Sequence, residues 1–377
     1  MFEIIEGGVT APQGFLAATT AAGIKYQNRN DMAMIYSECD AYAAGTYTTN
    51  RVKAAPVLWD REITSQKGIG RCVVINSGIA NACTGQEGYS YCSETAKEAA
   101  KSLQISEDAV LVASTGVIGM QLPIDRICTG IQSMAPELKG TREAANAAAR
   151  AIMTTDTKEK EVAVTFMVGD HKVTIGGMCK GSGMIHPNMC TMLSFVTTDL
   201  AISKELLQEA LSADVSDTYN MISVDGDTST NDTVILLANG MAGNPEITTK
   251  DEEYAAFCEA LHYINETLAK KMAADGEGAT ALFTAKVIHA ATKEQAKVLA
   301  KSVICSNLTK AAIFGHDANW GRILCAMGYS GADFDPEKVD LFFESKAGSI
   351  QLIQNGVALP YSEEEATKIL SEPDVTT

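Results

Sequence analysis

Residues 180–198 read KGSGMIHPNMCTMLSFVTT and join a glycine-rich turn to an apolar strand. Gly181 and Gly183 permit a tight backbone path, and Pro187 fixes a φ angle, before a small hydroxyl residue, Thr191, opens the apolar run. The run over 193–198 does not alternate between apolar and charged residues, which favours a strand that is buried on both faces. The stretch therefore predicts a core strand that is entered through a constrained loop.

The rest of the chain alternates between short β-rich runs and helical stretches rich in Ala, Glu and Lys. The β-rich runs cover 31–36, 71–76, 109–113, 161–168, 233–238 and 281–289. The helical stretches cover 92–103, 123–134, 142–153, 203–212, 250–274, 292–301 and 363–371. Ser203 and the acidic residues 251–253 predict the starts of two of these helices. Buried strands that alternate with helices predict a layered α/β fold, in which helices cover a central sheet.

Composition and charge exclude several classes of protein. Hydrophobic residues make up 46% of the 377 residues and charged residues 20%, as in ordinary folded globular proteins. A formal net charge of -17 repels phosphate backbones and anionic membrane surfaces, so we expect no nucleic-acid or membrane partner. The chain shows no signal-peptide pattern and no apolar run of about 18 residues, which predicts a cytoplasmic protein.

The candidate metal ligands are scattered. The ten cysteines contain no Cys-x-x-Cys pair, and the histidines are isolated from one another, so we expect neither a disulfide framework nor a zinc site. Aspartates 225, 227 and 232 share one loop, but this loop lacks the glutamate that ends an EF-hand. The sequence therefore predicts no metal.

The Cys190–Thr191 peptide bond allows two interpretations. In the simpler one, Thr191 is an ordinary strand residue after a glycine turn. In the other, the Thr191 hydroxyl attacks its own preceding carbonyl group, and water hydrolyses the resulting ester and frees the α-amine of Thr191. A threonine hydroxyl needs a nearby base, and an N-terminal amine with a pKa of about 8 can serve as one. The stretch is a candidate self-cleaving nucleophile as well as a structural element.

A second segment, ASTGVIG at 113–119, follows the β-rich run over 109–113. It is either a plain strand-to-helix turn or an oxyanion hole. In the second case the Thr115 hydroxyl and the Gly116 backbone N–H would both face one developing negative oxygen.

Two further segments carry groups that suit a small polar substrate. Thr154 lies in MTTDTK at 153–158, after a predicted helix end, where threonines either cap a turn or bind a substrate. Glu277 stands between two glycines, either as a solvated acid or as a carboxylate for an ammonium group. Lys180 offers the opposite charge, so Lys180 and Glu277 together would orient an amino acid.

These segments, in this order, resemble the ornithine acetyltransferase family of arginine biosynthesis, also called the glutamate N-acetyltransferases. The resemblance runs through 7–15, 48–56, 114–119, 154–157, 180–193, 275–280 and 319–322. It implies an α/β sandwich of the type shared with self-processing aminopeptidases. It also implies self-cleavage between Cys190 and Thr191 into an alpha chain, 1–190, and a beta chain, 191–377.

The resemblance further implies an activity. The enzyme would transfer an acetyl group from N2-acetyl-L-ornithine to L-glutamate by a ping-pong mechanism, through an acetyl ester on Thr191. Thr115 and Gly116 match the oxyanion hole of the family. The positions that match its substrate-binding residues are Thr154, Lys180, Thr191 and Glu277. No cofactor is implied, although acetyl-CoA is an alternative acetyl donor in some members, and the two chains assemble as a heterotetramer or larger.

Three features depart from the family pattern. Cys190 stands where alanine is common, Ile79 replaces a frequent asparagine, and the C-terminal segment is shorter than in the family. Two other functions stay open at this point. A threonine-nucleophile amidase or aminopeptidase would pass the acyl group to water, and a non-catalytic amino-acid-binding relative would form no acetyl-threonine.

Overall fold

The computed structural model describes residues 1–66, 68–186 and 192–377, and the chain divides into two compact units. The first unit comprises Met1–Asn220 and Asp227–Asp275, and the second comprises Met221–Gly226 and Gly276–Thr377. The predicted cleavage site between Cys190 and Thr191 lies outside the described residues.

A large mixed sheet forms the centre of the first unit. Its described strands are β1 (Phe2–Ile5), β2 (Phe15–Thr20), β3 (Met32–Tyr47), β4 (Ile69–Ile79), β5 (Val110–Val117), β6 (Lys160–Val168), β7 (His171–Lys180), β8 (Leu193–Thr198) and β9 (Thr233–Ala238). The strand order is β1-β6-β7-β8-β9-β3-β4-β5, and β2 pairs with β3. The pairs β4–β5 and β8–β9 are parallel, whereas β7 and β8 are antiparallel.

Helices cover this sheet as the sequence predicts. The helices of the first unit are α1 (Ala55–Ser65), α2 (Gly85–Leu103), α3 (Ile124–Met134), α4 (Arg142–Ala151), α5 (Lys204–Asp217) and α6 (Glu252–Ala274). The predicted N-cap Ser203 accepts a hydrogen bond from the Leu206 amide, and Asp251 caps α6. Each cap satisfies an amide that the first helical turn leaves unpaired.

Both faces of the sheet are buried, which explains the continuous apolar runs. Along β3, Ala33 and Ile35 pack into one core cluster, while Met32 and Met34 pack into another. Alternate side chains of a strand point to opposite faces, so a strand between two cores must be apolar throughout. The layered α/β fold class is therefore confirmed.

The second unit has a smaller sheet. Its elements are β10 (Leu282–Thr284), α7 (Lys293–Cys305), α8 (Asn307–Phe314), α9 (Trp320–Gly328), β11 (Leu341–Ser345), β12 (Gly348–Gln354), β13 (Val357–Ala358), α10 (Glu363–Leu370) and β14 (Asp374–Thr376). The strand order is β10-β14-β11-β12-β13. The strand predicted over 281–289 is wrong in length: β10 pairs only with β14, which is itself three residues long.

No helix in the described part of the chain is long and apolar enough to cross a membrane. The same residues contain no cluster of three or more His, Cys, Asp or Glu side chains arranged to hold a metal ion.

Candidate active site

Thr115 and Gly116 lie at the carboxyl end of β5, an edge strand of the large sheet. Thr115 is buried, and its hydroxyl forms no hydrogen bond with any residue that the structure describes. Gly116 has a φ of 132° and faces Gly78 so closely that an added Cβ would lie 2.3 Å from the Gly78 carbonyl group. Only glycine fits this approach, and the Thr115 hydroxyl belongs to the neighbouring residue.

The Gly116 amide points to the open edge of the sheet. The Val112 N–H on the same strand is directed away from β4, because it donates to the Asp60 carboxylate rather than to a neighbouring strand. Strand amides alternate in direction every residue, so the Gly116 N–H, four residues further on, points to this same edge. This amide and the Thr115 hydroxyl are suitable donors for an oxyanion.

The loop 229–232 ties this strand end to the start of β8. The Ser114 hydroxyl donates to Asn231 at 3.4 Å and accepts a bond from the Asn81 amide at 2.8 Å. The residue after Asn231 is Asp232, and its carboxylate accepts a hydrogen bond from the Met192 amide at 3.0 Å. Since Met192 follows Thr191 directly, the loop holds the predicted oxyanion donors and the predicted nucleophile segment in one part of the first unit.

Lys180 and Thr154, which the sequence places 26 residues apart, are in direct contact. The Lys180 ammonium donates to the Thr154 hydroxyl at 2.7 Å, and the lysine side chain is 2% exposed. Burial lowers the pKa of Lys180, and the carboxylate of Asp156, 3.7 Å away, opposes this shift. A buried ammonium whose nearest carboxylate lies 3.7 Å away, rather than in close contact, can bind a second anion strongly.

A buried network positions this lysine. The Asp156 carboxylate accepts hydrogen bonds from the backbone amides of Thr154 at 3.1 Å and Gly181 at 2.7 Å. It also forms an ion pair with Lys160 at 2.7 Å. Burial opposes the ionisation of Asp156, but Lys180 and Lys160 outweigh it and lower its pKa to about 2. Lys160 in turn pairs with Asp275 at 2.6 Å. Lys160 is thus neutralised from two sides, and Lys180 is left as the less compensated cation.

The ArgJ family model matches residues 16–377 of this chain. The chain belongs to the ArgJ family. A curated relative from Clostridium acetobutylicum, named arginine biosynthesis bifunctional protein ArgJ 1, is 53% identical over 94% of this chain and 86% of its own length. A second, from Caldanaerobacter subterraneus, is 50% identical over 99% of this chain and 92% of its own length.

Solved structures of ArgJ proteins match about half of the chain. The crystal structure of the arginine biosynthesis bifunctional protein argJ from Bacillus halodurans is 42% identical, with a TM-score of 0.48, over 50% of this chain and 97% of that one. Ornithine acetyltransferase complexed with ornithine, from Mycobacterium tuberculosis, is 42% identical, with a TM-score of 0.47, over 50% and 98%. Membership of the ArgJ family confirms the predicted enzyme class, an acyltransferase of arginine biosynthesis.

The structure places the predicted site residues of this ArgJ protein in three groups. Thr115, Gly116, Thr154 and Lys180 lie in the first unit. Cys190 and Thr191 lie outside the described residues. Glu277 is exposed and belongs to the second unit, directly after the boundary at Asp275.

Two buried aspartates escaped the sequence analysis. Asp156 lies inside the segment 153–158, whose composition is typical of a turn, and Asp232 shares a loop with two other aspartates that suggests a calcium ligand at most. Their partners are far away along the chain, 25 residues for Asp156 and Gly181 and 40 for Asp232 and Met192. The one signal in the sequence was the position of both next to buried strands, where a carboxylate needs a partner.

Proposed function

We propose that this protein transfers the acetyl group of N2-acetyl-L-ornithine to L-glutamate through an ester on Thr191, after cutting its own chain between Cys190 and Thr191. One observation carries the proposal. The loop 229–232 bonds both to Ser114, next to the oxyanion candidates, and to Met192, next to Thr191. A nucleophile and oxyanion donors that are held by one loop are the two parts that acyl transfer requires.

The reaction has two halves. The Thr191 hydroxyl adds to the acetyl carbon of N-acetylornithine, and the Thr191 α-amine accepts the hydroxyl proton and passes it to the departing ornithine nitrogen. The neutral α-amine of glutamate then attacks the ester carbon, and the bond from that carbon to the Thr191 oxygen breaks. The Thr191 α-amine passes the proton of the attacking nitrogen to this oxygen, which restores the hydroxyl as N-acetylglutamate leaves. Each half passes through a tetrahedral oxyanion that the Thr115 hydroxyl and the Gly116 amide stabilise. Acetyl-CoA is an alternative donor for the first half, and no cofactor takes part.

One binding site serves both substrates because ornithine and glutamate share an α-carboxylate. In this proposal Lys180 binds that carboxylate and Thr154 supports Lys180. The resemblance to the family makes Glu277 a substrate-binding residue, and its carboxylate would suit an ammonium group of the substrate.

Cleavage would leave the two chains associated. β7 lies before the predicted cut and β8 after it, and β8 pairs over its whole length with the second half of β7, from Ile175 with Thr198 to Lys180 with Leu193. The products 1–190 and 191–377 would therefore share one sheet, and separating them would break its ladder. Assembly into a heterotetramer or larger would build on this pair.

The test is an exchange experiment with acetyl-labelled N-acetylornithine. We expect labelled N-acetylglutamate, parallel double-reciprocal plots for the two substrates, and an acetyl group on the peptide that begins with Thr191. Labelled acetate that forms equally fast with and without glutamate, with no labelled N-acetylglutamate, would indicate an amidase instead.

Replacing Lys180 by methionine is expected to raise KM for N-acetylornithine by about 10- to 100-fold, since a hydrogen bond to a charged group contributes about 1.5–3 kcal/mol. In the wild type, KM should rise with pH as Lys180 loses its proton, and it should rise at a lower pH than an exposed lysine would require, because burial lowers the Lys180 pKa. The acylated α-nitrogen of this substrate does not titrate, whereas the Thr191 α-amine does, with a pKa of about 8. That amine is present in the wild type and in Lys180→Met alike, so the part of the profile from about pH 7 to 10 that is lost in Lys180→Met belongs to the lysine.

The matched control is Lys172→Met, an exposed lysine on the same strand, β7. This variant should keep the wild-type profile. Asp156 retains Lys160 as its counter-ion in Lys180→Met, so the fold should survive. An unchanged KM in Lys180→Met would remove Lys180 from carboxylate binding.

A further inference from the structure

Self-cleavage needs a proton acceptor other than the one that serves acetyl transfer. In the mature enzyme of the proposed function, the free α-amine of Thr191 accepts the proton of the attacking hydroxyl. Before cleavage that nitrogen is part of the Cys190–Thr191 peptide bond, and an amide nitrogen is not a base. The uncut chain therefore needs a different proton acceptor near Thr191.

Asp232 has the geometry of such an acceptor. Its side chain is fully buried, and its Oδ1 atom accepts the Met192 amide at 3.0 Å. Its Oδ2 atom has no hydrogen-bond partner of good geometry among the described residues, although the Thr48 and Ser229 hydroxyls lie close enough to the carboxylate to lower its pKa. One peptide bond joins Met192 to Thr191, so a carboxyl oxygen with free lone pairs lies one residue from the nucleophile. Leaving such an oxygen buried without a partner is costly and points to a function.

Three other buried aspartates of the first unit have both oxygens engaged. Asp31 accepts the amides of Ala22 and Ile24. Asp199 likewise accepts two backbone amides, one on each oxygen. Asp156 is occupied by Lys160 and by two amides.

Asp60 is the informative exception. It is also fully buried, accepts one backbone amide, that of Val112, and has a second oxygen without a partner among the described residues. It lies on α1, and its amide partner is on β5 rather than beside Thr191. Asp60 therefore reproduces the chemistry of Asp232 in a different place.

The surroundings of Asp232 increase its affinity for a proton. Burial raises its pKa well above the ordinary value, while the Met192 amide, the Thr48 hydroxyl and the Lys180 ammonium oppose the shift. A carboxylate with a raised pKa holds a proton more firmly than an exposed one, which makes it a better proton acceptor once it is ionised. Because the reaction needs the ionised form of Asp232, the cleavage rate should increase with pH through the Asp232 pKa.

We propose that Asp232 accepts the proton of the Thr191 hydroxyl during self-cleavage, an inference that rests on the proposed function. The Thr191 Oγ atom bonds to the Cys190 carbonyl carbon as its proton moves to Asp232. The bond between that carbon and the Thr191 nitrogen then breaks, and Asp232 returns the proton to the nitrogen. Water hydrolyses the ester, which leaves a carboxylate on Cys190 and restores the Thr191 hydroxyl.

The experiment uses the full chain, made by cell-free synthesis and transferred into buffers from about pH 5 to 9. The rate at which two fragments appear is followed by intact-mass spectrometry under denaturing conditions. We expect Asp232→Asn to slow cleavage by about 100-fold or more, the usual contribution of a positioned proton acceptor, and to flatten the pH profile. Asp232→Glu should restore part of the rate, and the control Asp60→Asn should cleave like the wild type.

The possible results of this experiment distinguish a failure of the inference from a failure of the proposed function. Wild-type cleavage in Asp232→Asn would overturn the inference and leave the proposed function intact, provided that the wild type cleaves and transfers acetyl groups. If circular dichroism shows that Asp232→Asn does not fold, the wild-type pH profile decides, and a flat profile overturns the inference. A wild-type chain that stays uncut would overturn the proposed function and this inference with it.

Discussion

Replacing Thr191 by alanine is expected to abolish both self-cleavage and acetyl transfer, because one hydroxyl group performs both reactions. Intact-mass spectrometry under denaturing conditions should find a single species of 40.0 kDa. The wild type should instead give two near-half fragments, of which the second begins at Thr191. Acetyl transfer in the variant should fall by at least about 10³-fold, as expected when the nucleophile of an acyl-transfer enzyme is removed.

Two neighbouring variants serve as controls for this result. Thr191→Ser keeps a hydroxyl group and should retain cleavage and transfer at reduced rates. Cys190→Ala exchanges one small side chain for another and should cleave like the wild type. Two fragments together with full transfer in Thr191→Ala would exclude Thr191 as the nucleophile.

The anchoring of the predicted cleavage loop explains how a cut there could leave the site intact. Lys180 and Leu193 lie opposite each other on β7 and β8, so the segment between them leaves and re-enters the sheet at one point. Just inside these ends, the Gly181 amide donates to Asp156 and the Met192 amide donates to Asp232. Two buried carboxylates thus hold the two ends of the loop, and neither anchor depends on the Cys190–Thr191 bond.

The fold was predictable where hydrophobic pattern and capping agree. The helix after Ser203 and the strand over 193–198 both appear where the sequence places them. β3 shows the limit of this reasoning. The sequence predicts a strand over 31–36, but β3 extends to Tyr47 through a stretch rich in Ala and Gly. That half of β3 pairs with β9, so long-range pairing overrides a weak local strand propensity.

The sequence predicts which residues form the site, but not the contacts between them. The resemblance named Thr154 and Lys180, but the contact between them depends on two strands and a turn that no local pattern specifies. Asp156 and Asp232 were missed because the role of a buried carboxylate is defined by partners distant in the chain. Lys160 was missed for the same reason, since its second partner, Asp275, is 115 residues away.

Replacing Thr115 by alanine is expected to lower kcat by about 10²–10³-fold, the usual cost of removing one oxyanion donor, while KM for N-acetylornithine changes by less than about threefold. The effect falls on kcat because the oxyanion exists only in the transition state, so the hydroxyl contributes little to substrate binding. Steady-state kinetics of the exchange reaction would measure both constants. Thr115 suits this test better than Gly116, where any Cβ would collide with the Gly78 carbonyl group and disturb the sheet.

A packing defect must be separated from the loss of the donor. Thr115→Val preserves the shape of the side chain and should lose as much kcat as alanine, whereas Thr115→Ser keeps the hydroxyl and should recover most of it. Thr165→Val, a change at another buried strand threonine of the same sheet, should leave kcat at the wild-type value. If Thr115→Ala and Thr115→Val both fold and keep wild-type kcat, the Thr115 hydroxyl does not face the oxyanion. The oxyanion would then need a donor other than Thr115, besides the Gly116 amide, at the end of β5.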